Sequence, residues 1–234
     1  MNCDFTQGAC NAFTPQAGTT ITYDKAKGAL FSIAKAGQGP TIVSSKYIFF
    51  GRLDVELIAS TGQGVVTSVV LQSADLDEID WEWLGGDAAR VQSNYFGKGD
   101  TTTYDRGAFH PVVNPQSTLH TYSIDWNAQR INWIIDGTVV RTVTYQDAKG
   151  GTRYPQTPMQ IKLGTWVAGL PGAPPGTVQW AGGMTNFAQA PFDCWIKSAN
   201  VVDYAGGEVP SKTPVKEYVW GDMSGSWQSI KVVN

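Results

Sequence analysis

Apolar and polar positions alternate along this chain in short runs, and the period is two rather than the 3.6 of a helix. The run Arg52-Leu53-Asp54-Val55-Glu56-Leu57-Ile58 alternates cleanly. It forms the second half of a strand pair expected over 46–60, with a bend at Phe49-Phe50-Gly51. Short strands over 21–23 and 29–33 flank a turn at 24–28, and 38–40 is a break. Residues 65–72 are almost continuously apolar, which predicts a strand covered on both faces. Arg90–Phe96 reads as a strand, followed by a polar loop over 98–106. His120–Trp126 and Arg130–Ile135 are two more strands. Asp136-Gly137 is a strong hairpin signal that pairs the second of them with 138–145. Further strands are predicted over 159–165 and 192–204, separated by a Pro/Gly loop over 170–183 of the kind that shapes a binding cleft. No amphipathic helix stands out. Many short strands at close spacing predict an antiparallel β-sandwich.

One stretch concentrates chemistry. In Asp77-Glu78-Ile79-Asp80-Trp81-Glu82-Trp83-Leu84-Gly85-Gly86-Asp87, three acids alternate with Ile79, Trp81 and Trp83. Strand geometry therefore puts all three carboxyls on one face and the apolar side chains on the other. A half-buried strand with a solvated face has the same alternation. Three like charges on one face repel, however, which is a poor choice for a merely soluble surface. The same repulsion keeps one acid protonated near neutral pH while another stays ionised. That division is what glycoside hydrolysis uses, with the two groups about 5–5.5 Å apart in a retaining enzyme. The Cα atoms of residues 78 and 82 lie about 13 Å apart in a strand, so long side chains on a curved sheet must close the gap.

Composition narrows the partners. The 234 residues suffice for one all-β domain, and the net charge of −3 without a basic run argues against nucleic acid. The nine Trp and 26 Gly fit aromatic-rich strands joined by tight turns. No apolar run approaches the length of a membrane-spanning helix. Cys3 and Cys10 read as a disulfide stapling an N-terminal loop, which implies a secreted protein; two free thiols in a reducing compartment are the competing reading. Cys194, beside Trp195 in an apolar run, reads as a buried free thiol. No signal peptide precedes Met1-Asn2-Cys3, as expected of a trimmed chain. Residues 1–207 are read as one domain. Residues 208–234 are read as an extension that returns to its surface, or alternatively as the start of a stalk.

Asp77-Glu78-Ile79-Asp80-Trp81-Glu82 resembles the Glu-x-Asp-x-Glu signature of glycoside hydrolase family 16. Val91-Gln92-Ser93-Asn94-Tyr95-Phe96, His120–Trp126 and the 131–137 hairpin resemble the strands that follow that signature. The resemblance covers about residues 20–205, the length of one sandwich domain. Within the family, the Cys-x6-Cys segment and the run Gln92-Ser93-Asn94-Tyr95-Phe96-Gly97-Lys98-Gly99 resemble fungal Crh-type cell-wall transglycosylases. This implies an all-β fold, a concanavalin-like β-jelly-roll sandwich of two antiparallel sheets. It implies a retaining enzyme that moves chitin chains onto β-glucan or chitin acceptors. It implies location at the fungal cell wall, a membrane link only through a GPI lipid anchor that this chain does not carry, and a monomer. No cofactor and no metal is expected; relatives carry a structural calcium, for which no ligands can be picked out here.

By the same resemblance Glu78 is the nucleophile, Glu82 the general acid/base, and Asp80 the group that holds the nucleophile's geometry. Tyr95, Trp126 and Trp166 are implied as sugar platforms, and Trp180 joins them because it lies in the Pro/Gly loop. For Trp126 core packing is an equal reading. Gln92, Asn94 and Arg130 are candidate donors to sugar hydroxyls, although Arg130 also fits a plain hairpin charge. His120 is a candidate neighbour of the acids or a structural residue. Gly164 departs from glucan-cleaving members, which carry Asn there; the expectation is room for an N-acetyl group. A β-glucan hydrolase and a lectin-like binding module are the alternative functions. The lectin reading is weakened by the intact acids.

Overall fold

The computed structural model describes residues 1–234. Its strands are, in order, β1 (Asn2–Asp4), β2 (Phe13–Pro15), β3 (Thr22–Asp24), β4 (Gly28–Ile33), β5 (Thr41–Ser44) and β6 (Gly51–Ile58). There follow β7 (Val65–Ser73), β8 (Glu78–Leu84), β9 (Arg90–Phe96), β10 (Ala108–Pro111), β11 (His120–Trp126) and β12 (Arg130–Ile135). The last are β13 (Thr138–Thr144), β14 (Met159–Val167), β15 (Phe192–Asp203), β16 (Glu217–Trp220) and β17 (Ile230–Val233). Two antiparallel sheets face each other. One has the order β13-β12-β11-β6-β15-β4-β3, with β1 on β15; the other runs β10-β9-β8-β7-β14-β5-β2. The expected all-β sandwich is therefore the observed architecture, with the acid strand β8 near the middle of the seven-stranded sheet.

Alternation places the core. Ile79, Trp81 and Trp83 of β8 are fully buried between the sheets, together with Leu53, Val55 and Leu57 of β6. Two indoles tie the sheets to each other. Trp81 Nε1 donates to the Ser123 carbonyl at 3.2 Å, and Trp133 Nε1 donates to the Asp80 carbonyl at 3.0 Å. A buried indole thus satisfies its one donor and holds β8 against the opposite sheet. Truncating a buried indole of this kind costs roughly 3–5 kcal/mol.

The structure departs from the sequence pattern in definite places. Residues 46–50 form no strand beyond one bridge from Ile48 to Met159, and β6 pairs instead with β11 and β15. Phe49 and Phe50 turn inward as a stacked pair, 4.7 Å between centroids, and are buried. At Gly51 (φ 148°) a Cβ would meet the Val202 carbonyl at 2.3 Å, so only glycine lets the chain enter β6 there. Strand β7 is not covered on both faces. Its Ser68, Val70 and Gln72 stay half-exposed, because its outer side is the uncovered face of the sheet beside the acids of β8. Strand β10 was not evident in the pattern. The 170–183 loop contains a short helix, α1 (Pro175–Trp180), begun by Pro175, whose missing N–H and fixed φ suit a first helical turn. The disulfide Cys3–Cys10 is formed, and Cys194 is a buried free thiol. The β16–β17 hairpin sits on the sandwich through Ile230, which is buried in the main core, and Tyr218, edge-on to Phe49 at 5.6 Å.

Candidate active site

Glu78, Asp80 and Glu82 share one open cavity of about 550 Å³. The antiparallel registers explain what surrounds them. Across β8–β9, Glu78 opposes Phe96, Asp80 opposes Asn94 and Glu82 opposes Gln92. Across β7, they oppose Gln72, Val70 and Ser68. All of these side chains share one face by the pleat. Trp166 reaches the cavity from β14 and Trp180 from α1, while Tyr104 and Gly107 close it from the loop between β9 and β10. The start of β8 is pinned by Asp77. Its Oδ1 accepts from the Lys98 amide at 2.9 Å, and its Oδ2 accepts from Lys98 Nζ (2.6 Å), the Gln156 amide (2.9 Å) and Thr157 Oγ1 (2.7 Å). A buried carboxylate with this many donors is costly to disturb, so the neighbouring Glu78 is held in place.

The three carboxyls are not equivalent. Glu78 accepts a hydrogen bond from the Gln72 side-chain amide. Asp80 is buried and its Oδ1 has no partner. Burial, then the charges of Glu78 and Glu82, push the Asp80 carboxyl well above the usual carboxylate range. Burial, then Glu78, push Glu82 up to about 8. Glu82 therefore holds a proton at neutral pH, and the raised Asp80 carboxyl lies between Glu78 and Glu82 on the same face of the strand. A pair of acids whose environments separate them into carboxylate and proton donor can run acid/base chemistry.

Of the residues singled out as sugar ligands, Gln92, Asn94, Trp166 and Trp180 lie in the cavity with the acids. Trp166 and Trp180 stack, 6.1 Å between centroids with planes 24° apart, and Trp180 Nε1 donates to Gln92 Oε1 at 2.9 Å. Four other candidates do not reach it. Tyr95 faces the core, packed on Trp133 with the Arg141 guanidinium over its ring, because it alternates with Asn94 and Phe96. Trp126 belongs to the other sheet and is fully buried; its ring is edge-on to Phe50 and its Nε1 donates to the Pro155 carbonyl. Arg130 lies on the outer face of that sheet, bonded to Asp125 at 3.2 Å as a hairpin ion pair. His120 is held by Asp136 at 2.6 Å and by the Val113 carbonyl at 2.8 Å, at the hairpin turn and away from the acids. Phe96, Gln72 and Lys162 were missed. Phe96 and Lys162 carry a signal, since they share the strand parity of Asn94 and Trp166; Gln72 lies on β7, which the pattern reads as covered on both faces, and carries none. Tyr104 lies on an irregular segment and Thr177 on the short helix α1, and neither carries one. No group of three or more His, Cys, Asp or Glu side chains is arranged to hold a metal ion.

Gly164 does not open space for an N-acetyl group. A Cβ there would lie 2.6 Å from Thr41 Oγ1 and 2.7 Å from the Pro40 carbonyl, so the adjoining edge of the sheet already occupies the place. Gly164→Asn is therefore expected to destabilise the fold by about 1–3 kcal/mol, because the Pro40 backbone must move. A thermal melt checks this, and an unchanged Tm would refute the close approach.

The family model for glycosyl hydrolases family 16 matches residues 6–182. Crh-like protein 5 of Aspergillus fumigatus is 54% identical over 205 residues, 88% of this chain and 50% of that protein. Crh-like protein 2 of Botryotinia fuckeliana is 50% identical over 217 residues, 92% of this chain and 46% of that protein. The chain thus spans about half the length of these curated relatives. Among solved structures, a Crh5 transglycosylase in complex with NAG superposes with a TM-score of 0.92 at 50% identity, over 99% of this chain and 92% of that one. A Bacillus licheniformis beta-glucanase superposes with a TM-score of 0.72 over 86% of this chain and 96% of that one; at 20% identity it attests the fold alone.

Proposed function

The chain belongs to glycosyl hydrolase family 16, and from that premise we propose that it is a retaining transglycosylase of the fungal cell wall. Chitin is the donor, and β-glucan or chitin is the acceptor. The observation that carries this reading is the asymmetry of the acid strand: one carboxylate with an amide donor, beside two carboxyls raised by burial and by their acidic neighbours. The name of the superposed relative, a transglycosylase with NAG bound, supports transfer and an N-acetylated sugar. Its relatives' Crh-like naming supports location at the cell surface.

In the first half-reaction a Glu78 oxygen attacks the anomeric carbon of the donor. The bond from that carbon to the bridging oxygen breaks, and Glu82 delivers its proton to the departing oxygen. The product is a glycosyl ester on Glu78. In the second half-reaction Glu82, now a carboxylate, takes the proton of an acceptor hydroxyl. The acceptor oxygen attacks the anomeric carbon, the ester bond breaks and Glu78 is regenerated. Asp80, whose carboxyl is raised by burial and by its two acidic neighbours, stands between Glu78 and Glu82 and holds the nucleophile's geometry. The stacked Trp166 and Trp180 offer flat apolar faces to sugar rings. Gln92 and Asn94 are placed to bond hydroxyls beside Glu82 and Asp80. Acceptor binding, by filling the cavity before water reacts, favours transfer over hydrolysis.

The test is incubation with chitin oligomers, with and without a labelled β-1,3-glucan acceptor, followed by mass analysis. Longer oligomers and labelled hybrids are expected. Shorter oligomers alone would replace transfer by hydrolysis. Cleavage of glucan without any of chitin would overturn the choice of donor.

A further inference from the structure

We propose that Lys162 is a positioning residue for the nucleophile and acts through the side-chain amide of Gln72. This rests on the reading of Glu78 as nucleophile and deepens it. Gln72, on β7, stands directly across from Glu78 in the β7–β8 ladder. Lys162, on β14, stands across from Val70, one cleft-facing position from Gln72. Its Nζ donates to Gln72 Oε1 at 2.6 Å, and Gln72 Nε2 donates to a Glu78 carboxylate oxygen.

The chemistry of the three groups leaves one arrangement. An ammonium only donates and a carboxylate only accepts, whereas an amide does one at each end. Placed between Lys162 and Glu78, the Gln72 amide must turn its oxygen to the ammonium and its NH2 to the carboxylate. A cation on the amide oxygen also polarises the amide and strengthens the N–H bond it makes on the other side. None of the ion pairs of the molecule involves Lys162, so its charge is not neutralised by another residue.

The relay answers a question that the acid strand leaves open. Three carboxyls in one cavity cannot all ionise, and their repulsion alone does not choose which one stays anionic. Glu78 is the one at which a donor chain backed by a cation ends. Asp80, by contrast, has a buried oxygen with no partner. Lys162 thereby selects Glu78 as the attacking carboxylate, and leaves Asp80 and Glu82 to carry protons.

The experiment is a double-mutant cycle on the glycosylation step. The probe is a dinitrophenyl β-chito-oligosaccharide, whose leaving group departs without a proton, so that release reports attack by Glu78 and not acid catalysis. Pre-steady-state release is measured for the wild type, Lys162→Met, Gln72→Leu, the double variant and Lys162→Arg. Loss of a hydrogen bond to a charged group predicts a rate about 10- to 100-fold lower in Gln72→Leu, and about 10-fold lower in Lys162→Met with KM little changed. The double variant is expected to be no slower than Gln72→Leu, and Lys162→Arg to restore most of the rate. Full activity in Lys162→Met overturns the proposal. So does a loss that persists undiminished in the Gln72→Leu background, which would mean that Lys162 acts on the sugar directly. Intact-mass and peptide mapping of the wild-type adduct read the premise separately: an adduct elsewhere than on Glu78 overturns the assignment of the nucleophile, and the relay with it.

Discussion

Glu78→Gln is expected to abolish turnover, lowering kcat by roughly 10³-fold or more while leaving oligosaccharide binding intact. The substitution is nearly isosteric and keeps the strand, the cavity and the stacked Trp166–Trp180 pair. What it removes is the one group placed to form the glycosyl ester. An amide oxygen is a poor nucleophile and yields no stable ester. It also removes a negative charge from beside Asp80 and Glu82, each of which is raised in part by Glu78. The variant is therefore expected to fold at least as stably as the parent, which separates lost chemistry from lost structure. Steady-state assays on chitin oligomers, titration calorimetry with the same oligomers and a thermal melt make the three readings. Activity within tenfold of the parent would sink the assignment of Glu78.

Glu82→Gln should carry the second largest effect, a loss of about 10²- to 10⁴-fold on oligosaccharides whose leaving oxygen needs a proton. It comes with a signature in pH. Glu82 is pushed up to about 8 by burial and by the neighbouring Glu78. In the parent, kcat/KM should therefore fall as pH rises through about 8, as the proton donor is lost. In the variant that limb should vanish. Stability should follow the same group with a definite sign. Below about pH 4 both the folded and the unfolded chain hold the proton, and Glu82 imposes no penalty. Between there and about 8 the folded chain keeps a proton that the unfolded chain has released, so the unfolded state gains as pH rises. Asp80 adds to this in the same direction. Tm should decline from pH 5 to pH 9 in the parent, and less steeply in Glu82→Gln. A variant that keeps the alkaline limb, or a parent whose Tm rises over that range, would show that Glu82 is not the proton donor.

The misplaced candidates show where local pattern stops. Tyr95 and Asn94 are adjacent in one strand and were both assigned to the cleft, although alternation allows only one of them. Parity alone, applied strictly, would have excluded Tyr95 and admitted Phe96. Trp126, Arg130 and His120 fail for another reason. Their strands were read correctly, but those strands lie in the opposite sheet, where the inward side meets the core and the outward side faces away from the acids. Gly164 was read as space because its own side chain is absent, yet the void is filled by Thr41 and Pro40, more than 120 positions earlier in the chain.

The amino-acid sequence by itself determined most of the long strands, the hairpin at Asp136-Gly137, the gathering of Glu78, Asp80 and Glu82 on one face, and through its ordered motifs the family. Each of these depends on a period of two or on turn chemistry within a few residues, which is local. Only the tertiary structure decided which strands lie beside β8, and hence that Gln72, Trp166 and Trp180 meet the acids, with Lys162 behind Gln72, while Trp126 does not. It also decided which acids keep their protons, because that depends on burial and on donors brought from other strands. Strand order in a sandwich is settled by packing two apolar faces across long chain separations, and no short stretch of the chain contains that information.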